Sequence, residues 1–391
     1  MTQNVVVLGS GYAGAGAIQT LESELDPDVN LTWISDVDYH LVLHESHRCI
    51  RDPTIQKKIT IPVEDIKSQR TRFIQSKVTD IHIDERTVEL EAHSTIDYDY
   101  LIVALGSQTA FFGIKGLDAH AYTLKSLDDA IDIHNAIQHA GRNATASKPA
   151  QIVVGGAGLS GIQTAGEIAG YRDDQETPLD IYLIEGLDQI FPGHDSEIQR
   201  SLRTRLEDID VNIMTGEFIG EVDEENIYIG DETELDYDVL IWTGGVTGRD
   251  AVTDVDLDKD ERSHRITAEM TFETEDERIF AIGDSALINQ PGETPAPPTA
   301  EAAWDAAEHV GQNVARAMRD DSLESWTFES KGTAISIGED AVAYDVSVLG
   351  LNPPVDTFGG VFARNLKKAI AARWIMSITG PRRALKAWPD M

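Results

Sequence analysis

The chain repeats one unit, and that repetition constrains the fold more than any other feature. Val5–Leu8 is a short apolar run followed by Gly9-Ser-Gly11-Tyr-Ala-Gly14 and a helix-like stretch over 15–25. Ile152–Val154 is a second such run, followed by Gly156-Ala-Gly158-Leu-Ser-Gly161 and a helical pattern over 162–169. The first glycines of the two motifs lie 147 residues apart. A later pair of segments, Asp97–Gly106 and Asp236–Gly245, agrees at six of ten positions with an offset of 139. Before each of these, alternating residues read as a β-hairpin: 78–83 with 87–90, and 227–229 with 233–235. Buried strands alternating with helices demand parallel sheets with crossover helices. The expected fold is α/β, with two Rossmann-like dinucleotide-binding domains and a small C-terminal β/helical segment.

In a Gly-x-Gly-x-x-Gly turn the first glycine makes the tight bend and the second lets a pyrophosphate approach the backbone. The third lets the helix pack close, and the helix N-terminus offers N–H groups to the phosphates. Gly9, Gly11 and Gly14 therefore predict one nucleotide site, and Gly156, Gly158 and Gly161 a second. In the second unit Glu185 follows Gly161 by 24 residues, where a ribose 2′-hydroxyl needs an acceptor. A carboxylate there repels a 2′-phosphate, which favours NADH over NADPH. In the first unit Ser35 holds the equivalent place with Asp36 beside it, and either can serve. A third buried run, Ile279–Ile282, ends in Gly283-Asp284, whose carboxylate can accept from ribityl hydroxyls. Two linked sites of this kind imply a redox relay between a bound flavin and an exchangeable nicotinamide.

The residues Val5–Gly14, Asp38–His40, Tyr98–Ser107, Phe111–Gly116, Gly155–Glu167, Phe280–Asp284 and Pro297–Ala300 together resemble the two-dinucleotide-fold flavoproteins. Within them the chain is most similar to the type II NADH dehydrogenases (NADH:quinone oxidoreductases). The resemblance implies FAD on the first unit, at Gly9, Gly11, Gly14, Ser35 or Asp36, Val78, Gly106, Gly283, Asp284, Thr299 and Ala300. It implies NADH on the second, at Gly156, Gly158, Gly161, Glu185 and Gly244. It implies the divisions 1–110 (FAD-binding, first part), 111–245 (NADH-binding), 246–325 (FAD-binding, second part) and 326–391 (C-terminal segment). The expected reaction passes hydride from NADH to FAD and electrons on to a membrane quinone of menaquinone type, without proton pumping. Alternatives are a reductase with a protein or small-molecule acceptor, and a slow NADH-binding flavoprotein with a signalling role.

Single residues refine this expectation. Cys49 is the sole cysteine, which excludes a redox-active cysteine pair and any multi-thiolate metal site. No metal is expected; His40, His44 and His47 have metal-compatible spacing only if helical. The family's Glu after the second motif is replaced by Gln163, with Glu167 one helical turn later on the same face. Its Ala-Gln-x-Ala-x-Gln quinone pattern reads here Ala300-Glu301-Ala302-Ala303-Trp304-Asp305. Gln163, Glu167 and Glu301 are thus the catalytic candidates.

Charge divides the chain unequally. With 68 acids against 32 basic residues the net charge is -36, which excludes nucleic acid as a partner. Basic residues are 20 Arg and 12 Lys, and acid enrichment with scarce lysine reads as adaptation to high ionic strength. Residues 360–391 reverse the sign, with seven basic residues and one acid. There Phe362, Leu366, Ile370, Trp374 and Ile378 recur every fourth residue, suggesting an interfacial helix on an anionic membrane. The competing expectation is docking onto the chain's own acidic body or a second subunit, giving a homodimer. With no leader or spanning segment evident, the expected location is cytoplasmic, peripheral on the inner face of the cell membrane.

Overall fold

The computed structural model describes residues 2–91, 93–292, 294–346 and 357–387, without the side chains of residues 357, 358 and 361. Two parallel sheets carry the two repeats. The first has the strand order Ile279–Ala281, Tyr100–Val103, Asn4–Leu8, Asn30–Ser35, Thr71–Gln75. The second has the order Val211–Thr215, Leu179–Glu185, Ala150–Gly155, Val239–Trp242. Every pairing in both is parallel. Uninterrupted apolar runs suit strands covered on both faces, and Val5–Leu8 and Ile152–Val154 are fully buried. In each sheet the motif strand lies between its two neighbours, so the glycine turn opens at the topological switch point, where such folds bind ligands.

The hairpins expected from alternation are present, each extended by a third antiparallel strand: Val78–His82, Thr87–Leu90 and Ser94–Asp97, then Ile219–Val222, Asn226–Ile229 and Thr233–Asp236. Antiparallel pairing of Ser107–Thr109 with Val246–Gly248 ties the two crossings between the sheets together. The helix Ala300–Ala317 lies against the first-motif helix Tyr12–Glu24 through small residues. A Cβ on Gly16 would sit 2.6 Å from Ala307 Cβ, and one on Gly311 would sit 2.7 Å from Thr20 Cβ.

The C-terminal strand Asp340–Tyr344 pairs with Thr333–Ile337 on one side and Thr357–Gly359 on the other, and the chain leads into the tail helix Val361–Thr379 and the short helix Pro381–Ala387. The predicted apolar stripe along this helix is corrected. Ala363, Lys367, Ala371, Trp374, Ile375 and Ile378 face the protein, whereas Phe362, Ile370, Met376 and Leu385 face outward. A spacing of four residues advances about 40° beyond a full turn, so residues 362 and 374 end on different sides. The tail docks on its own body, including an ion pair of Arg383 with Asp65. The acid Asp390, counted in the tail's charge, lies outside the described residues. Among the described residues no helix is long and apolar enough to cross a membrane.

Candidate active site

The six motif glycines divide their work identically in both units. Gly9 and Gly156 have φ of +99° and +89°. A Cβ on Gly9 would lie 2.2 Å from the Ala104 carbonyl oxygen, and one on Gly156 would lie 2.9 Å from Gly244 N. On Gly14 and Gly161 it would strike the carbonyl oxygens of Gly9 and Gly156 at 2.0 and 1.9 Å. Gly11 and Gly158 differ: nothing lies within 4 Å of a Cβ there. No fold constraint requires glycine at these two positions, which is what a cradle for an approaching pyrophosphate looks like. The helices that start at Gly11 and Gly158 also lack a side-chain cap. Those starting after Ser126, Asp195 and Thr299 have one. The motif helices thus keep their N–H groups for a phosphate.

The strand ends separate the two sites. Glu185 accepts from Ala157 N at 2.9 Å through one oxygen and from Leu187 N at 3.1 Å through the other. Each oxygen keeps a lone pair, so the carboxylate fits a ribose while bracing the glycine turn. Phe112, Leu187 and Phe218 are exposed at this same end of the second sheet. In the first unit Ser35 is buried and shares a 2.8 Å hydrogen bond with Ser10 Oγ, while exposed Asp36 pairs with Arg249 at 3.5 Å. Asp36 is therefore the freer acceptor.

Around the first site, Gly106 takes φ of +74° with open space at its Cβ position, and Gly283 takes +66° beside Ala13 and Ala303. Asp284 accepts from Ser107 Oγ at 3.1 Å, and Lys125 Nζ donates to the same hydroxyl at 3.3 Å. Buried Arg265 holds the Asp284 turn through the carbonyls of Asp284 and Ala286. Burial lowers the Lys125 ammonium, with Asp284 opposing the shift. Val78 is buried at the start of its strand, and Thr299 caps the following helix through Ala302 N. Gly244 lies against the Trp242 ring and Gly156.

Gln163 and Glu167 come together in a buried polar cluster that sequence reasoning reached only in part. Ser336 Oγ is its hub. Lys367 Nζ donates to it at 2.6 Å and Gln163 Nε2 at 3.2 Å. With both lone pairs taken, the hydroxyl proton goes to His47 Nε2, 3.0 Å away. Burial, reinforced by Lys367, keeps His47 neutral, its pKa well below the ordinary value. Glu45 lies 3.6 Å from Lys367 and 3.4 Å from Arg48. Burial pushes the Glu45 carboxyl up, but Lys367, His44 and Arg48 together outweigh it and hold it low. Burial lifts Glu167 to about 7, against the pull of Arg48, Lys367 and Arg51. Lys367 counted as a basic surface residue in the sequence; its burial corrects that, and no local pattern announced its acidic partners 200 or more residues away.

The three histidines do not share a helix. His40 is on the strand Tyr39–Leu41, His44 on a single 3-10 turn, and His47 before the short helix Arg48–Arg51. His40 Nδ1 donates to the Ser10 carbonyl at 2.8 Å, and its Nε2 accepts from Trp374 Nε1 at 2.8 Å. Tyr12 hydrogen-bonds His44 and packs against both His40 and Trp374. Cys49 is buried, and burial pushes its thiol up to about 12, with Arg48 opposing. Glu301 does not join the cluster. It accepts from Lys331 N at 2.8 Å, while Asp305 accepts from Lys331 Nζ at 2.6 Å and Trp326 Nε1 at 3.1 Å. Both acids fasten the segment 326–331 to their helix.

Two glycine cradles on parallel sheets, each followed by an uncapped helix, define an oxidoreductase with two dinucleotide sites. The chain belongs to the pyridine nucleotide-disulphide oxidoreductase family, whose model matches residues 3–307. FAD and NADH are the cofactors that its sites fit. Curated relatives from Staphylococcus aureus (strains MSSA476 and NCTC 8325), described as type II NADH:quinone oxidoreductase, are 28% identical over 403 aligned positions, covering 98% of each chain. The fold matches NDH2 from Plasmodium falciparum, solved in complex with NADH, at a TM-score of 0.82 and 17% identity, covering 100% of this chain and 98% of that one. It matches the Aquifex aeolicus sulfide:quinone oxidoreductase at 0.81 and 18%, covering 97% and 92%. A chain with one cysteine cannot form the intramolecular cysteine pair of a disulphide reductase.

Proposed function

We propose that the protein oxidises NADH and delivers two electrons to a membrane quinone. The observation that carries this reading is the buried cluster of Gln163, Glu167, Ser336, His47 and Lys367 beside the second-motif helix. It offers proton-handling groups where cysteine chemistry is absent. Bound FAD supplies the hydride acceptor and electron carrier. The chain's own residues do the rest. Gly11 and Gly158 admit the two pyrophosphates; Asp284 and Asp36 receive hydroxyls at the first site. Glu185 receives the NADH ribose and disfavours a 2′-phosphate. Gln163 hydrogen-bonds as a neutral amide, and Glu167 is the carboxyl that exchanges protons. The full-length likeness to quinone-reducing relatives supports the acceptor, and the strand orders support dividing the chain near residues 110, 245 and 325.

Outward Phe362, Ile370, Met376 and Leu385, with Arg373, Arg382 and Lys386 on the same two helices, suit the inner leaflet of an anionic membrane. The net charge of -36 suits a halophilic cytoplasm. The deciding experiment is steady-state NADH oxidation at molar salt, with a menaquinone analogue compared against ferricyanide. Quinone turnover is the expected result, and ferricyanide reduction without any quinone rate would overturn the proposal.

A further inference from the structure

A cavity of about 300 Å³ adjoins the cluster, bounded by the helix Arg48–Arg51, the second-motif helix, the hairpin at 336–341 and the tail helix. Its rim is wet: the side chains of Asp174 and Glu339 are 47% and 72% exposed. Its floor is dry, formed by Glu45, Glu167 and Lys367 at 3%, 4% and 7% exposure. Arg51 spans the rim, bonded to Asp174 at 2.6 and 3.1 Å and to Glu339 at 2.8 Å. Arg364 braces Glu339 from the tail helix at 3.1 Å.

We propose that this cavity is the proton inlet of the enzyme, loading Glu167 from solvent. The inference rests on quinone being the acceptor. NADH gives up one hydride, equivalent to two electrons and one proton, whereas the quinone gains two O–H bonds. Each turnover therefore draws one further proton from water. Glu167 stands where the cavity meets the buried cluster, one turn after Gln163 on the same helix face. The charged groups lining the cavity with it are Glu45, Arg48, Arg51 and Asp52 from the segment 45–52, Arg364, Lys367 and Lys368 from the tail helix, Glu339 and Asp340 from the hairpin and Asp174 from its own helix. Three of these cations favour the carboxylate while burial favours the acid, so the group can both take and release a proton near neutrality.

The test uses the FAD-loaded protein and two variants, Glu167→Gln at the floor and Ile55→Trp, which fills the cavity from its lining. Ferricyanide accepts electrons without protons, so the ratio of quinone to ferricyanide rates isolates the proton step. We expect that ratio to fall about 10²-fold in Glu167→Gln, with partial rescue by added formate. A second readout is independent of turnover: the infrared carboxyl band absent from Glu167→Gln should exchange its proton for deuterium quickly in the wild type and slowly in Ile55→Trp. If Glu167→Gln fails to fold, Glu167→Asp, which should shift that band and keep most of the quinone rate, assigns it, and a lowered quinone-to-ferricyanide ratio in Ile55→Trp is the expected result. An unchanged rate ratio with a normal wild-type quinone rate, or equal deuterium exchange with the cavity filled, overturns the inlet. No quinone rate in the wild type overturns instead the functional reading beneath it.

Discussion

The two nucleotide sites use one backbone device in opposite surroundings. At both, the outer glycines are required by neighbouring carbonyls or amides and the middle glycine by nothing in the protein. The second site then opens outward: its strand ends in a carboxylate flanked by exposed Phe112, Leu187 and Phe218. The first site is tied to its surroundings at its flanks, while Gly11 itself is exposed. Ser35 is locked to Ser10, and Tyr12, His40 and Trp374 pack over the start of the motif. The pyrophosphate positions are equally unobstructed in the two sites, so the flanking contacts, not the motif, distinguish them.

The glycine comparison can be broken most forcefully within each motif. Gly14→Ala and Gly161→Ala place a Cβ inside a carbonyl contact, so each should cost about 3 kcal/mol or more in denaturant unfolding. Gly11→Ala and Gly158→Ala should leave the cofactor-free unfolding midpoint nearly unchanged. The first should lose FAD on gel filtration, and the second should raise KM for NADH.

Acid should discriminate the two sites next. Burial holds His40 and His44 at about 4 in the folded protein, below the ordinary 6.5. The unfolded chain therefore binds more protons between those values, and stability falls as pH drops from 6.5 towards 4. The loss is about 3 kcal/mol for His40 alone. Flavin release and Trp374 fluorescence should change together over that window, and Trp374→Phe should separate them. Glu167 has the opposite sign: its folded value near 7 means its contribution declines as pH rises from 4.5 to 7. That component of the slope should vanish in Glu167→Gln, leaving the histidine component, so the loss of stability towards acid becomes steeper.

A smaller effect tests the open site. Glu185→Ser removes the 2′-phosphate repulsion, and the NADH:NADPH ratio of kcat/KM should drop about tenfold. The smallest concerns the acids that replace the family's glutamines. Lys331→Ala removes an ion pair whose partners are 55% and 30% exposed, so unfolding should change by no more than about 1 kcal/mol. An effect on quinone KM well beyond that would give Asp305 a role outside fastening.

What the sequence disclosed and what it hid follow from the range of the interactions. Strand, turn and helix of each motif are local patterns, and all were legible, as were both hairpins. Gln163 was legible through the family resemblance, and Glu167 through helix periodicity. Ser336, His47 and Lys367 were not, because their meeting depends on a hairpin and a tail helix folding back across the chain. Lys367 was misread because composition records charge without its partners, and the tail stripe because four-residue spacing drifts around a helix.

The hydrogen bond from Trp374 to His40 spans 334 positions, and His40 in turn holds the first glycine loop. During synthesis the ribosome makes that loop early and the tryptophan that braces it, through His40, near the end. Such distant closure is slow, because the intervening chain must be ordered first. The braced glycine loop is therefore a product of the finished polypeptide, and flavin retention should report completion of the chain, not emergence of its first domain.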